Sequence, residues 1–193
     1  MEIFLETERL RLRRFTGADL ENLVELDSDP AVMLHITGGQ IPSRAESAET
    51  LATFLDYYRR YPAYGFWAAE EKSTSKFLGW FHFRPAEGDA PDEVELGYRL
   101  KRNCWGNGYG VEGSRALIRK GFVELGVRRV HAETLVVHAA SRRVMEKSGL
   151  RYVRILHQAW PYQIPGDEFG DVEYALTRDE WADQGDIADI SAL

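Results

Sequence analysis

Apolar positions along the chain repeat with two periods, one of two residues and one near 3.6, and the alternation of the two marks out strands and helices. Glu8 to Phe15 sets Leu10 and Leu12 between arginines, the pattern of a half-exposed strand. Thr16 then offers an N-cap for a helix with Leu20, Leu23, Val24 and Leu26 on one face, stopped at Asp29-Pro30. HITGGQIP, punctuated by glycine and proline, reads as a loop. Ser43 and Glu46 form a capping box ahead of a helix striped with Leu51, Phe54, Leu55 and Tyr58.

Three strands follow, Tyr64 to Glu70, Lys76 to Arg84 and Asp92 to Leu100, separated by the polar turns EKSTS and PAEGDAP, so they predict an antiparallel meander. Val111, Ile118, Phe122 and Leu125 share a helix face. Arg128 to Val137 is apolar enough for a buried strand, and a helix from Ala139 to Ser148 ends at Gly149. Leu150 to Trp160 and Asp171 to Thr177 are the last strands, with Pro161, Pro165 and Gly166 between them. The order predicts an α/β chain of the α+β kind: a mixed, mostly antiparallel sheet of about six or seven strands flanked by helices.

With 193 residues, 44% of them hydrophobic, and no long linker, the chain is expected to be one domain over 1–193, with a frayed acidic tail at 184–193. No window approaches the roughly 18 apolar residues of a membrane span, and no signal-peptide core is visible, so a cytoplasmic location without membrane partners is expected. A single cysteine, Cys104, excludes an internal disulfide and a thiolate metal cluster; packing suits it better than nucleophilic work, since no Cys-His-Asn logic accompanies it. No metal is expected. A net charge of -7 with scattered arginines argues against nucleic acid.

Candidate chemistry begins at NCWGNGYGVEG. Gly108 to Gly113 reads as G-x-G-x-x-G, and Glu133 stands near the distance at which a dinucleotide fold keeps its ribose ligand. The preceding EVELGYRL alternates instead of being continuously apolar, and about 60 residues after Glu133 are too few for a second nucleotide half, so the pattern argues against a dehydrogenase. A Walker loop is excluded as well, because no GK[ST] follows. What remains is physics: glycines ahead of a helix let backbone approach a ligand, and the free first-turn N–H groups favour a pyrophosphate.

The chain resembles the GNAT superfamily of acetyl-coenzyme-A-dependent N-acyltransferases, and within it the RimJ/RimL-type branch. TERLRLRRFTGADLENL is similar to the branch's first strand and helix, ELGYRLKRNCWGNGYGVEG to its fourth strand and pyrophosphate loop, and HAASRRVMEKSGLRYV to its N-x-x-S-x-R-V-x-E-K-x-G-F segment. The resemblance implies acetyl-CoA as cosubstrate, bound by Leu100, Trp105, Gly106, Asn107, Gly108, Tyr109, Gly110, Val111, His138 and Ser141. It implies an amine acceptor, a small molecule or a protein N-terminus, and allows a homodimer. Trp105 replaces the Arg or Gln common elsewhere in the superfamily. His138 replaces the Asn that usually bonds the pantetheine arm, and Leu150 the usual Phe.

Acetyl transfer from a thioester to an amine needs a neutral amine, donors for the developing oxyanion and a proton for the thiolate. The family's fourth strand is kinked and supplies backbone N–H groups; Gly97 is a natural place for that break, which puts the donors near Gly97 to Leu100. Strand parity puts Glu93 and Glu95 on one face, as catalytic groups or as the wet face of a sheet. Glu95, nearest Gly97 and aligned with an acidic position of the branch, is the candidate base, with Glu93 or a water relay as alternatives. Ser141 matches the branch's thiolate-stabilising serine, with helix capping as its structural alternative, and Tyr152 is a second candidate acid. His35, His82, His157, Trp160 and Tyr162 are candidates for the acceptor pocket, whose ligand stays open. A non-catalytic acyl-CoA-sensing module is the competing function.

Overall fold

The computed structural model describes residues 2–85 and 91–185; the middle of the expected PAEGDAP turn and the tail from 186 onward lie outside them. Its centre is one eight-stranded sheet, in the order β1-β2-β3-β4-β5-β6-β8-β7. The strands are β1 (Ile3–Glu6), β2 (Leu10–Arg14), β3 (Gly65–Glu71), β4 (Phe77–Arg84), β5 (Glu93–Leu100), β6 (Arg129–Leu135), β7 (Arg151–Leu156) and β8 (Asp171–Thr177). All neighbours pair antiparallel except β5 and β6, which are parallel. The sheet thus has one strand more than the upper sequence expectation: β1, whose Phe4 stacks on Trp67 at 3.7 Å.

The helices are α1 (Leu20–Asp27), α2 (Pro30–Thr37), α3 (Arg44–Arg60), α4 (Tyr109–Glu124), α5 (Ala139–Lys147) and α6 (Arg178–Asp183). Two differ from expectation. Asp29-Pro30 does end α1, but it also starts α2: the Asp29 carboxylate accepts from the Ala31 N–H, and Pro30 occupies the first turn, where no N–H is needed. The first three residues of HITGGQIP are therefore the end of a helix, closed by Gly38 at φ 69, and the rest is the expected loop. Likewise α6 is a helix the sequence pattern did not predict; it lies just ahead of the tail expected to fray, started by the Thr177–Glu180 capping box and anchored by buried Trp181.

Parity along β4 and β5 gives the sheet two unlike faces. Phe81 and Phe83 lie under Gly113 and Gly121 of α4, where a Cβ would collide with their rings. On the other face Phe54 of α3 stacks on Phe66 at 3.8 Å and meets Trp80 edge-on. Beneath α1 the Arg13 guanidinium is buried and bonds Asp19 at 2.7 and 2.9 Å and Glu70 at 2.6 Å, which satisfies three charges removed from water. Among the described residues no helix is long and apolar enough to cross a membrane.

Candidate active site

The glycine stretch lies between β5 and α4. Gly108 is the N-cap of α4 at φ 84, and Gly106 has φ 75, both left-handed positions where a Cβ is penalised. No side chain caps α4, so the N–H groups of its first turn remain available to a ligand. A brace from the edge of β2 holds this turn. Arg9 Nε and Nη2 donate to Glu112 at 2.7 and 2.6 Å, Arg9 Nη1 donates to the Asn107 carbonyl at 2.9 Å, and the Thr7 hydroxyl donates to Glu112 at 2.5 Å. Burial pushes the Glu112 carboxyl up, but Thr7 and the backbone and side chain of Arg9 more than reverse this and hold it below its ordinary range. Arg9 also lies 4.6 Å over the Tyr109 ring, whose hydroxyl donates to Glu71 at 2.6 Å. Trp105 Nε1 donates to the Leu100 carbonyl at 2.8 Å, closing the loop onto the end of β5. Cys104 is buried and its thiol is pushed up by that burial, which suits packing.

The sheet opens next to this loop. β5 and β6 pair only from Glu93–Arg129 to Glu95–His131, although β5 runs on to Leu100 and β6 to Leu135. On its other side β5 stays paired with β4 as far as Leu100. The break expected at Gly97 is therefore in the pairing with β6, and the strand itself is continuous. Lys101 N–H donates back to Leu78 of β4, so antiparallel alternation turns the amides of Tyr98 and Leu100 toward the gap.

Glu93 and Glu95 do share a face, and both are ion-paired. Glu95 accepts from Arg84 at 2.7 Å and lies 3.5 Å from His82 Nε2. Burial pulls its pKa up, but His82, then Arg84 and His131, reverse this and bring it to about 2. Glu93 pairs with Arg129 and stands 3.9 Å from His131. On the opposite face the Tyr98 hydroxyl is pushed up to about 12 by burial, while a hydrogen bond with Ser141 acts the other way. Ser141 is buried in the first turn of α5. Tyr98, absent from the sequence-derived site, is thus the tyrosine at the serine.

Tyr152 is not brought to that group. It is 57% exposed on β7, with β8 and β6 between it and β5, and meets Tyr174 edge-on at 6.2 Å. His138 stands at the N-cap of α5, its ring stacked 4.1 Å from that of His35 of α2, with Thr134 Oγ1 3.2 Å from Nδ1. Burial, then the neighbouring His35, lowers its pKa to about 4, so the ring is neutral at physiological pH. Trp160 Nε1 donates to buried Asp171 at 3.1 Å, and Tyr162 lies at the surface, 39% exposed. Glu133, the dinucleotide coincidence, accepts from Gln158 at 2.9 Å on β6.

The sheet thus opens between two parallel strands beside a glycine-capped helix start, and the chain belongs to the GNAT acetyltransferase family: residues 9–151 match the model of the acetyltransferase (GNAT) domain. It is 32% identical over 183 residues to the FsC-acetyl coenzyme A-N(2)-transacetylase of Aspergillus fumigatus, covering 92% of this chain and 77% of that one. Its fold is similar to a GNAT-family acetyltransferase from Bacillus anthracis, with a TM-score of 0.75 at 24% identity over 93% of this chain and 99% of that one. It is also similar to RimL, a ribosomal L7/L12 alpha-N-protein acetyltransferase crystallised with coenzyme A, with a TM-score of 0.76 at 20% identity over 93% and 99% of the two chains.

Proposed function

We propose that the chain moves the acetyl group of acetyl-CoA directly onto a primary amine, and that the gap between β5 and β6 is where the thioester lies. One observation carries this reading: the unpaired amides of Tyr98 and Leu100 face that gap next to the uncapped start of α4. Backbone donors fixed by the β4–β5 ladder need no reorganisation as charge develops on the carbonyl oxygen. The open helix start, with Gly106 and Gly108 clearing space, suits the pyrophosphate. Thr134 Oγ1 and His138 Nδ1 share a hydrogen bond; in the tautomer where Nδ1 accepts, Nε2 carries the proton that we assign to the pantetheine arm in place of the usual Asn amide. Ser141, backed by the Tyr98 hydroxyl, is the group we place at the departing thiolate.

Glu95 acts on the amine side. A carboxylate with a pKa of about 2 is a poor acceptor for an ammonium proton, so its part is to attract the cation and to work through a neighbour. The acceptor is a small-molecule amine or a protein N-terminus; the Aspergillus relative is named for N(2)-transacetylation and RimL for the alpha-N of ribosomal protein L7/L12. The test is release of free thiol from acetyl-CoA by the purified protein with a panel of primary amines. Tight CoA binding with no amine-dependent release would leave a sensing module in place of an enzyme.

A further inference from the structure

The neighbour through which Glu95 works can be read from the sheet. His82 of β4 and Gly97 of β5 are register partners. Because Gly97 has no side chain, the imidazole lies flat over it: a Cβ there would stand 2.5 Å from His82 Cε1 and 2.6 Å from Nε2. The glycine is thus the seat of the ring as well as a link of the strand. The next residue, Tyr98, turns its amide into the gap that we assign to the thioester. Nε2 is buried without a hydrogen-bond partner and lies 3.5 Å from Glu95, which Arg84 fixes at 2.7 Å. The His82 side chain keeps 13% of its surface exposed.

We propose that His82 is the general base of the acyl transfer and that Glu95 is the carboxylate that orients it. The inference rests on the acetyltransferase reading above. A proton on Nε2, directed at Glu95, leaves the lone pair on Nδ1, and a carboxylate contact of this length shortens when substrate closes the site. The ammonium gives one proton to Nδ1, from which it passes to solvent. The nitrogen lone pair then forms the C–N bond at the thioester carbonyl, the C–S bond breaks, and the second proton lost by nitrogen ends on sulfur. An ammonium and acetyl-CoA thus yield an acetamide, free thiol and one proton. The division of labour follows from the residues: Glu95, tied to Arg84 and ionised far below neutrality, is a poor acceptor for an ammonium proton, whereas the imidazole beside it offers a nitrogen lone pair.

The experiment measures kcat against pH from 6 to 10 for wild type, His82→Gln and Glu95→Gln. The amine probes are a serine-initiated tetrapeptide, N5-acetylornithine and putrescine, and CoA affinity by calorimetry is the control for a formed site. The titratable and charged groups around His82 are Arg84 on β4, Glu93 and Glu95 on β5, Arg129 and His131 on β6, and Tyr57 on α3, so the profile is read as a difference between variants. His82→Gln is expected to lower kcat by about 10²- to 10⁴-fold near neutrality. CoA affinity should stay within twofold, and the deficit should shrink as rising pH supplies neutral amine. Glu95→Gln is expected to lose about tenfold and to keep the acid limb. If Glu95→Gln abolishes the acid limb while His82→Gln stays within threefold of wild type, Glu95 is itself the base and the proposal is overturned. If His82→Gln fails to bind CoA, His82→Asn is scored by the same criteria. Wild type that binds CoA but turns over none of the probes overturns the enzyme reading, and this proposal with it.

Discussion

Gly108→Val tests the pyrophosphate loop at its most constrained point. Gly108 has φ 84, and a left-handed conformation costs an L residue about 1–2 kcal/mol, with a β-branched one at the upper end. Its Cβ would also stand 3.3 Å from Arg9 Nη2, close enough for the valine methyls to push the guanidinium off Glu112. Relaxing φ to a negative value would turn the first-turn N–H groups away from the phosphates. The Kd for CoA should therefore rise at least about tenfold, or roughly 1.4 kcal/mol. Gly126→Val is the matched control: Gly126 has φ 74 with nothing within 4 Å of its Cβ, and it follows α4 at the end away from the loop. Both variants should lose comparable melting temperature, and only Gly108→Val should lose CoA in a calorimetric titration. Equal melting losses with unchanged Kd in both would refute the loop assignment, because strain alone would then explain the variant.

Arg9→Gln strips Glu112 of its counter-charge beside the phosphate site and should raise the CoA Kd about five- to tenfold at low salt, less at 0.5 M. Glu112→Gln should cost less, and the double variant should recover most of the loss; additive losses would mean that the two residues act independently and not as a pair. Ser141→Ala should slow thiol release with little change in the KM for acetyl-CoA, whereas a fall in melting temperature without a kinetic effect would reduce Ser141 to a packing residue. Arg13→Met would leave Asp19 and Glu70 buried without their cation, and urea unfolding should show a loss of about 3–5 kcal/mol. In the wild type, burial raises the Asp19 pKa, but Arg13 and Thr16 outweigh it and the folded value lies below the unfolded one. The contribution of Asp19 is therefore fully present above an unfolded pKa of about 3.9 and is lost as pH falls toward the folded value, so the wild-type urea midpoint should drop in that acidic window.

What the sequence made legible was local. The capping box at Ser43 and Glu46 and the period of α4 depend on residues within one or two turns, and so does the parity that pairs Glu93 with Glu95. Asp29-Pro30 misled because the same dipeptide closes one helix and opens the next, and a stop signal hides a start when both use the same residues. β1 has only four residues, too few for a period to show. The site was legible as a loop and a strand but not as a constellation. His82 reaches Glu95 only through the β4–β5 register, and Arg9 and Glu112 are 103 positions apart. Tyr152 belonged to the right segment on the wrong strand, whereas Tyr98 lies on the face of β5 opposite Glu93 and Glu95, where no motif marked it.

The short parallel seam also shapes the mechanics of the sheet. Three register pairs join β5 to β6, against seven between β6 and β8 and six between β4 and β5. On one side stand five antiparallel strands, β1 to β5; on the other is a block of three strands that completes the sheet only after the α4 crossover. A ligand lying across the opening, as proposed, would touch both blocks and fasten the sheet along its short parallel seam. Its binding energy is then also cohesion between the blocks, so amide exchange along β6 should slow with CoA concentration by mass action, before any acceptor is present.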